Sequence, residues 1–286
     1  MSYIRFGLMI LTSTVVMFIL MYVNTYAWDH LFFSETRTYM AIVMGASMAV
    51  IMLAYMLGMY SNMKLNIAIF VGSAIVFALA LWFLRSQATV SGPSYMRAMI
   101  PHHSIAIMTS ERAQIRDPRV QKLAHEIIEA QRREIAEMRY LIAEVSDGNL
   151  VEEVYQDPPA EVGTIEDALN NTLVSTLDPS PMPEAEADQL LGAGPRCTFN
   201  RSPEAHPVFW ASQDDGAAAM KLNGVLVPLE AAGESETGGA VFAAPGTTVT
   251  VRPLGEEADW RSDAELVFAL EQGLTVGYRG FWACEG

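Results

Sequence analysis

The chain has 286 residues, 33 acidic against 18 basic, and a formal net charge of −15. Such a length accommodates about two domains, and the acid excess argues against nucleic-acid binding, because no basic face is left to neutralise phosphates. The charge is unevenly placed: residues 1–90 carry four bases and two acids, 91–146 eight and seven, and 147–286 six and 24.

The first 90 residues read as a membrane domain. Residues 6–28 hold no charged group, and neither do the interiors of 39–60 and 67–84 apart from their flanks. At about 20 residues and about 1.5 Å rise per residue, each run is long enough to cross a hydrocarbon core as a helix. A cleaved signal peptide is the alternative for the first run, but it exceeds an ordinary signal core and two further spans follow. Tyr22, Tyr26, Trp28, Tyr39, Tyr60 and Trp82 fall where interfacial aromatic belts are expected.

A cytoplasmic N-terminus keeps Arg5 and Lys64 inside and leaves Arg37 and Arg85 outside, a thin margin for the positive-inside rule. The two cysteines carry more weight. Cys197 and Cys284 bracket the C-terminal segment, as a bridge tying the ends of an exported domain does; two buried free thiols are the alternative. The expected placement is a bacterial inner membrane crossed three times, with residues 85–286 periplasmic.

Residues 91–146 read as a helical hairpin. One helix runs from about Pro93 to Ile115 with Pro101 in its interior, where the missing donor should bend it. Asp117-Pro118 forms a strong start for the next helix, along which Leu123, Ile127, Gln131, Glu134, Met138, Leu141 and Val145 recur at three- and four-residue steps. So short a connection predicts antiparallel neighbours.

The stretch Met96 to Met108 holds three thioethers (Met96, Met99, Met108) and the adjacent imidazoles of His102 and His103. Such donors suit a soft or borderline metal, above all copper. Met96, Met99 and His103 share a face by the i, i+3, i+7 rule, whereas His102 points about 100° away unless the Pro101 bend turns it inward. Antiparallel pairing sets Met99 level with Glu134 and Met96 near Met138, so Met99, His103, Glu134 and Met138 are the central candidates, with His102 and Met96 beside them. Gln131 is placed to fix an imidazole tautomer. His125 on the flank is either another such partner or a surface imidazole. Methionine at helical spacing is more often core filler, but a carboxylate on an apolar seam is costly to bury without a cation. His30, beside Asp29, is a candidate for a second site, and His206 reads as structural.

The run Met99-Ile-Pro-His-His-Ser-Ile-Ala-Ile-Met108, followed by Gln131-Arg-Arg-Glu134-Ile-Ala-Glu-Met138, resembles the bacterial domain-of-unknown-function family 305 (DUF305) over residues 91–146. The resemblance implies a ferritin-like helical fold and a periplasmic copper-binding role, with Met99, His102, His103, Met108 and Met138 as the metal-handling positions. Many members place four helices in the soluble domain, whereas this chain offers two. A homodimer or higher homo-oligomer is the expected remedy.

Met40, Met44, Met48, Met52 and Met56 repeat every fourth residue along the second span, with Met59 beyond. The row suits either passage of Cu(I) or plain helix packing. Residues 147–195 hold eleven acids, no Lys or Arg and six prolines, and read as a disordered linker with room for a short helix near Glu166 to Leu173. Residues 196–286 read as a small all-β sandwich or barrel of six or seven strands, with Asn223-Gly224 as the clearest hairpin turn.

The predicted whole is thus a multi-domain membrane protein with four segments: 1–90, 91–146, 147–195 and 196–286. No phosphate loop, nucleophile elbow or Cys-x-x-Cys is present, and His125-Glu-Ile-Ile-Glu129 lacks the closing histidine of a zinc-protease helix. A non-enzymatic copper protein for buffering, storage or tolerance is therefore expected, with Cu(I), Cu(II) or another transition metal bound and the lipid bilayer as its setting. The alternative is an envelope scaffold whose hairpin oligomerises and whose β domain binds a protein or glycan.

Overall fold

The computed structural model describes residues 2–285 apart from 160–161, 165–166, 168–169, 193 and 236–237. The short helix expected near Glu166 to Leu173 falls partly on residues outside that set. The chain forms two compact units that divide after Pro118.

Three helices open the first unit: α1 (Tyr3–Leu20), α2 (Glu35–Tyr55) and α3 (Met63–Ser86). All three are long and apolar enough to cross a membrane. Their bounds differ from the uncharged runs because polar caps, not charge, set the ends. The Ser34 side chain accepts from the Arg37 amide and that of Asn62 from the Leu65 amide, starting α2 and α3 about a turn early. After Leu20 the chain leaves the helix and reaches a 3-10 turn at Trp28–His30.

Helix α2 lies between its neighbours. Its buried residues are mostly small, Ala41, Gly45, Ala46 and Ala49, ending at Leu53, the composition that lets apolar helices approach closely. A Cβ at Gly45 would collide with the Thr14 side chain of α1. Met52 and Met56 pack around Phe6, Leu53 and Tyr60 together with Met9, so that end of the methionine row serves packing. Helix α4 (Gly92–Arg112) starts with a reciprocal Ser91–Ser94 cap and rests on α2 and the Trp28–His30 turn.

The second unit holds α5 (Pro118–Ser146), a short α6 (Glu184–Ala187) and eight strands. These are β1 (Arg196–Asn200), β2 (Phe209–Ser212), β3 (Ala217–Leu222), β4 (Val225–Glu234), β5 (Ala240–Ala244), β6 (Thr247–Pro253), β7 (Ala264–Leu270) and β8 (Thr275–Cys284). They form one closed barrel in chain order, antiparallel throughout, with β8 returning to β1. The sandwich option and the count of six or seven strands are thereby corrected. The strands β1 and β2 are only five and four residues long, lengths at which alternation gives little signal. The expected turn is present: Leu222 pairs with Val225, and Asn223 and Gly224 both take positive φ.

Side chains fill the barrel. Phe199, Phe209, Met220, Leu229, Val249, Leu266, Phe268 and Tyr278 are at most 2 % exposed, one inward face per strand at period two. Cys197 and Cys284 form the disulfide.

The linker is not disordered throughout. Ser180 pairs with Lys221, the Met182 amide donates to the Pro207 carbonyl, and Trp210 Nε1 donates to the Met182 carbonyl at 2.9 Å. Met182, Ala187 and Leu191 bury themselves on Trp210 and Ala219, forming a strap over the outer face of β2 and β3. Composition concealed this because few apolar residues suffice when the surface they cover is already folded.

Candidate metal centre

The buried stripe of α4 is Met96, Ile100, Ser104 and Ile107, at steps of three and four. Met99 and His103 flank this stripe on one side and are half-buried; the His103 Nδ1 is removed from solvent. Met96, Met99 and His103 therefore share one side of the helix, as the spacing predicted. His102 is exposed, its ring 6.1 Å from that of His103 and tilted by 56°. Pro101 is accommodated within the helix, and it does not bring His102 in. Met108, also half-buried, stands about 140° around the helix from His103 at 100° per residue.

What holds this side in place is a contact that the sequence reading missed. Ser104 is fully buried; its Oγ accepts from the Tyr26 amide at 2.9 Å and lies 2.8 Å from His30 Nδ1. His30 Nε2 lies 3.6 Å from the Asp29 carboxylate. The order Ser, His, Asp superficially matches a hydrolytic triad, but solvent does not reach Ser104, whose oxygen is engaged by a backbone amide. The contact anchors α4 to the connection between α1 and α2, and it gives His30 a packing role. The Arg112 guanidinium, 5.6 Å from the Tyr26 ring centre, extends the same seam. Only the Asp29-His30 pair was visible in the sequence, because a helical serine carries no distinguishing signal.

The other candidates lie on α5, in the second unit. Met138 is buried, and Gln131 is half-buried. Glu134 is not sunk in an apolar seam: its side chain is 38 % exposed and lies 3.9 Å from the Arg133 guanidinium. Burial of this carboxylate therefore does not by itself demand a cation. His125 is exposed. The expected α4–α5 pairing falls across the division between the units.

Within its unit α5 is tied to the barrel. Ala136 joins the barrel core, Arg139 donates to the Arg261 carbonyl at 2.8 Å, and the Tyr140 ring lies where a Cβ on Gly277 of β8 would be. Nearby, Asp178 Oδ2 accepts from Arg201 at 2.8 Å and from the Tyr278 hydroxyl at 2.9 Å, and Arg133 stands 3.7 Å from Asp178 Oδ1. Burial pushes the Glu137 carboxyl above its ordinary range; Asp178 and Glu134 add to this, and Arg133 and Arg201 oppose it. Burial likewise pushes the Tyr140 phenol up to about 12 and holds that of Tyr278 higher still.

Among the described residues, no group of three or more His, Cys, Asp or Glu is placed to hold a metal ion. The donors brought onto one side are two thioethers and one imidazole, a set that suits a soft ion satisfied by few ligands, and Cu(I) above divalent metals.

Two families match. A domain of unknown function, DUF6692, covers residues 142–286, and a domain of unknown function, DUF305, covers 92–190. The second extends the expected segment beyond residue 146 into the strap. The chain is also similar to "Uncharacterized protein L153" of Acanthamoeba polyphaga mimivirus, 33 % identical over 108 residues, which are 37 % of this chain and 69 % of that protein. No solved structure matches significantly. By extent of match the chain belongs to the DUF6692 family, and it carries a DUF305 domain ahead of and overlapping that region.

Proposed function

We propose that this is a membrane-anchored, extracytoplasmic copper-binding protein that buffers, stores or confers tolerance to the metal. The observation carrying the reading is the placing of Met96, Met99 and His103 on one side of α4, inside the DUF305 match. Three apolar helices supply the anchor. The cytoplasmic N-terminus and periplasmic residues 85–286 accord with the Cys197–Cys284 bridge, which persists in an oxidising compartment. Met96, Met99 and His103 would hold the ion and Ser104 would fix the helix that presents them; bound copper is cargo. A second copy of the chain is the available source of further donors.

One observation favours the rival reading of an envelope scaffold with a partner-binding β domain: α5 commits Ala136, Arg139 and Tyr140 to the barrel. Competition with a Cu(I) chelator, using the full chain in detergent, separates the two. A copper protein withdraws Cu(I) from the chelator and loses at least tenfold in affinity on Met99→Leu with His103→Ala. A wild-type chain that competes no better than the double variant is a scaffold.

A further inference from the structure

We infer that the pocket where α1 ends is a binding site for one anionic phospholipid. The pocket measures about 470 Å³, within the range of small-molecule sites. Ile19, Val23 and Leu31 give it an aliphatic wall, and Tyr22, Tyr26 and Trp28 an aromatic one. Trp28 and Phe33 beside it are 81 % and 63 % exposed, which is costly in water and ordinary at a lipid interface.

Two buried polar atoms, one in the pocket lining and one beside it, have no hydrogen-bond partner among the described residues. One is Thr25 Oγ1, in the pocket lining; the other is Arg37 Nη1, whose guanidinium lies 4.2 Å from the centre of the Tyr22 ring. A buried donor left unsatisfied is destabilising, and more so when charged. Arg37 also sits in the first turn of α2, where the helix dipole adds to its positive charge and favours an anion. The acids nearby in sequence have other partners: Glu35 accepts from Thr89 Oγ1 at 3.1 Å, and Asp29 lies by His30.

A ligand that satisfies all of this has an anionic head for Arg37, an oxygen that bonds the Thr25 hydroxyl and an apolar tail for the pocket. A phosphodiester lipid with no cationic headgroup meets the three demands, whereas a zwitterionic one brings an ammonium toward a guanidinium. The inference rests on α1 to α3 crossing a membrane and is independent of copper.

The test is native mass spectrometry of the full chain in detergent, offered phosphatidylglycerol or phosphatidylcholine. A 1:1 phosphatidylglycerol adduct should survive at least tenfold better than the phosphatidylcholine one. Arg37→Gln should abolish that preference, Arg37→Lys should retain it, and Ala27→Phe, which fills the pocket, should remove both adducts. Glycerophosphate, the headgroup without tails, should displace neither. Equal retention of the two lipids by wild type, an unchanged preference in Arg37→Gln, or displacement by glycerophosphate overturns the site. Membrane anchoring is scored separately by sedimentation with carbonate-washed bilayers. Lost selectivity in a chain that sediments overturns the lipid site alone, and a chain washed free overturns the anchor and the site together.

Discussion

Cys197 stands directly opposite Cys284 where β1 meets β8, their Cα atoms 3.9 Å apart, and the bridge between them staples the barrel across its closing seam. It also ties down a loop with a sequence separation of 87. Replacing both cysteines by alanine is expected to cost about 4–5 kcal/mol by the chain-entropy account. Denaturant unfolding followed through Trp210 and Trp282 measures it, and a loss below about 1 kcal/mol means the strands close the barrel unaided.

Gly277 is where the barrel accepts α5. A Cβ there meets the Tyr140 ring, so Gly277→Ala should cost about 1–3 kcal/mol as an overpacked contact. Tyr140→Ala in the same chain should recover most of that loss. A double-mutant cycle in unfolding experiments reads the coupling; strictly additive effects would show that the helix is not seated on this strand.

Glu137 and Tyr140 make the seating of α5 sensitive to pH in two ranges. The folded Glu137 carboxyl is raised above its ordinary 4.5, so the fold favours its protonated form. That contribution is fully present below 4.5 and is lost as pH climbs through the raised value. Glu137→Gln should therefore flatten the acid limb of the stability profile and stabilise the chain at pH 7. For Tyr140 the contribution is present below 10 and is lost as pH rises toward about 12, and Tyr140→Phe should remove that limb. Thermal unfolding across pH, compared with each variant, checks both signs.

His102 and His103 should behave differently although they are adjacent. The exposed His102 stands about 120° around the helix from Met96, whereas the half-buried His103 stands about 20° from it. His103→Ala should weaken Cu(I) binding at least tenfold, about 1.4 kcal/mol, and His102→Ala less than twofold. The reverse order in a chelator competition would relocate the metal to the outer face of α4.

How far these features could be read in advance depended on whether the interaction was local. The apolar runs of α1 to α3, the Asp117-Pro118 helix start and the Asn223-Gly224 turn are each decided by a few neighbouring residues; the helix start and the turn stand where expected, and the three helices overlap their runs with shifted ends. On α4, the sharing of a side by Met96, Met99 and His103 followed from helical period alone. Contacts across the sequence were invisible. Nothing in the residues around Ser104 announces the Tyr26 amide and His30, and nothing in the acidic stretch announces that Met182 and Leu191 cover Trp210. Glu134 shows the same limit: its place on an apolar stripe does not reveal that its carboxylate is part-exposed and lies by Arg133.

The eight strands hydrogen-bond around a full circle, β8 back to β1. Such a sheet has no rim on which a foreign peptide could add itself as one more strand. Whatever this half of the molecule recognises must be gripped through side chains, loops or the strap, so recognition there can diverge without unpicking the ladder beneath it.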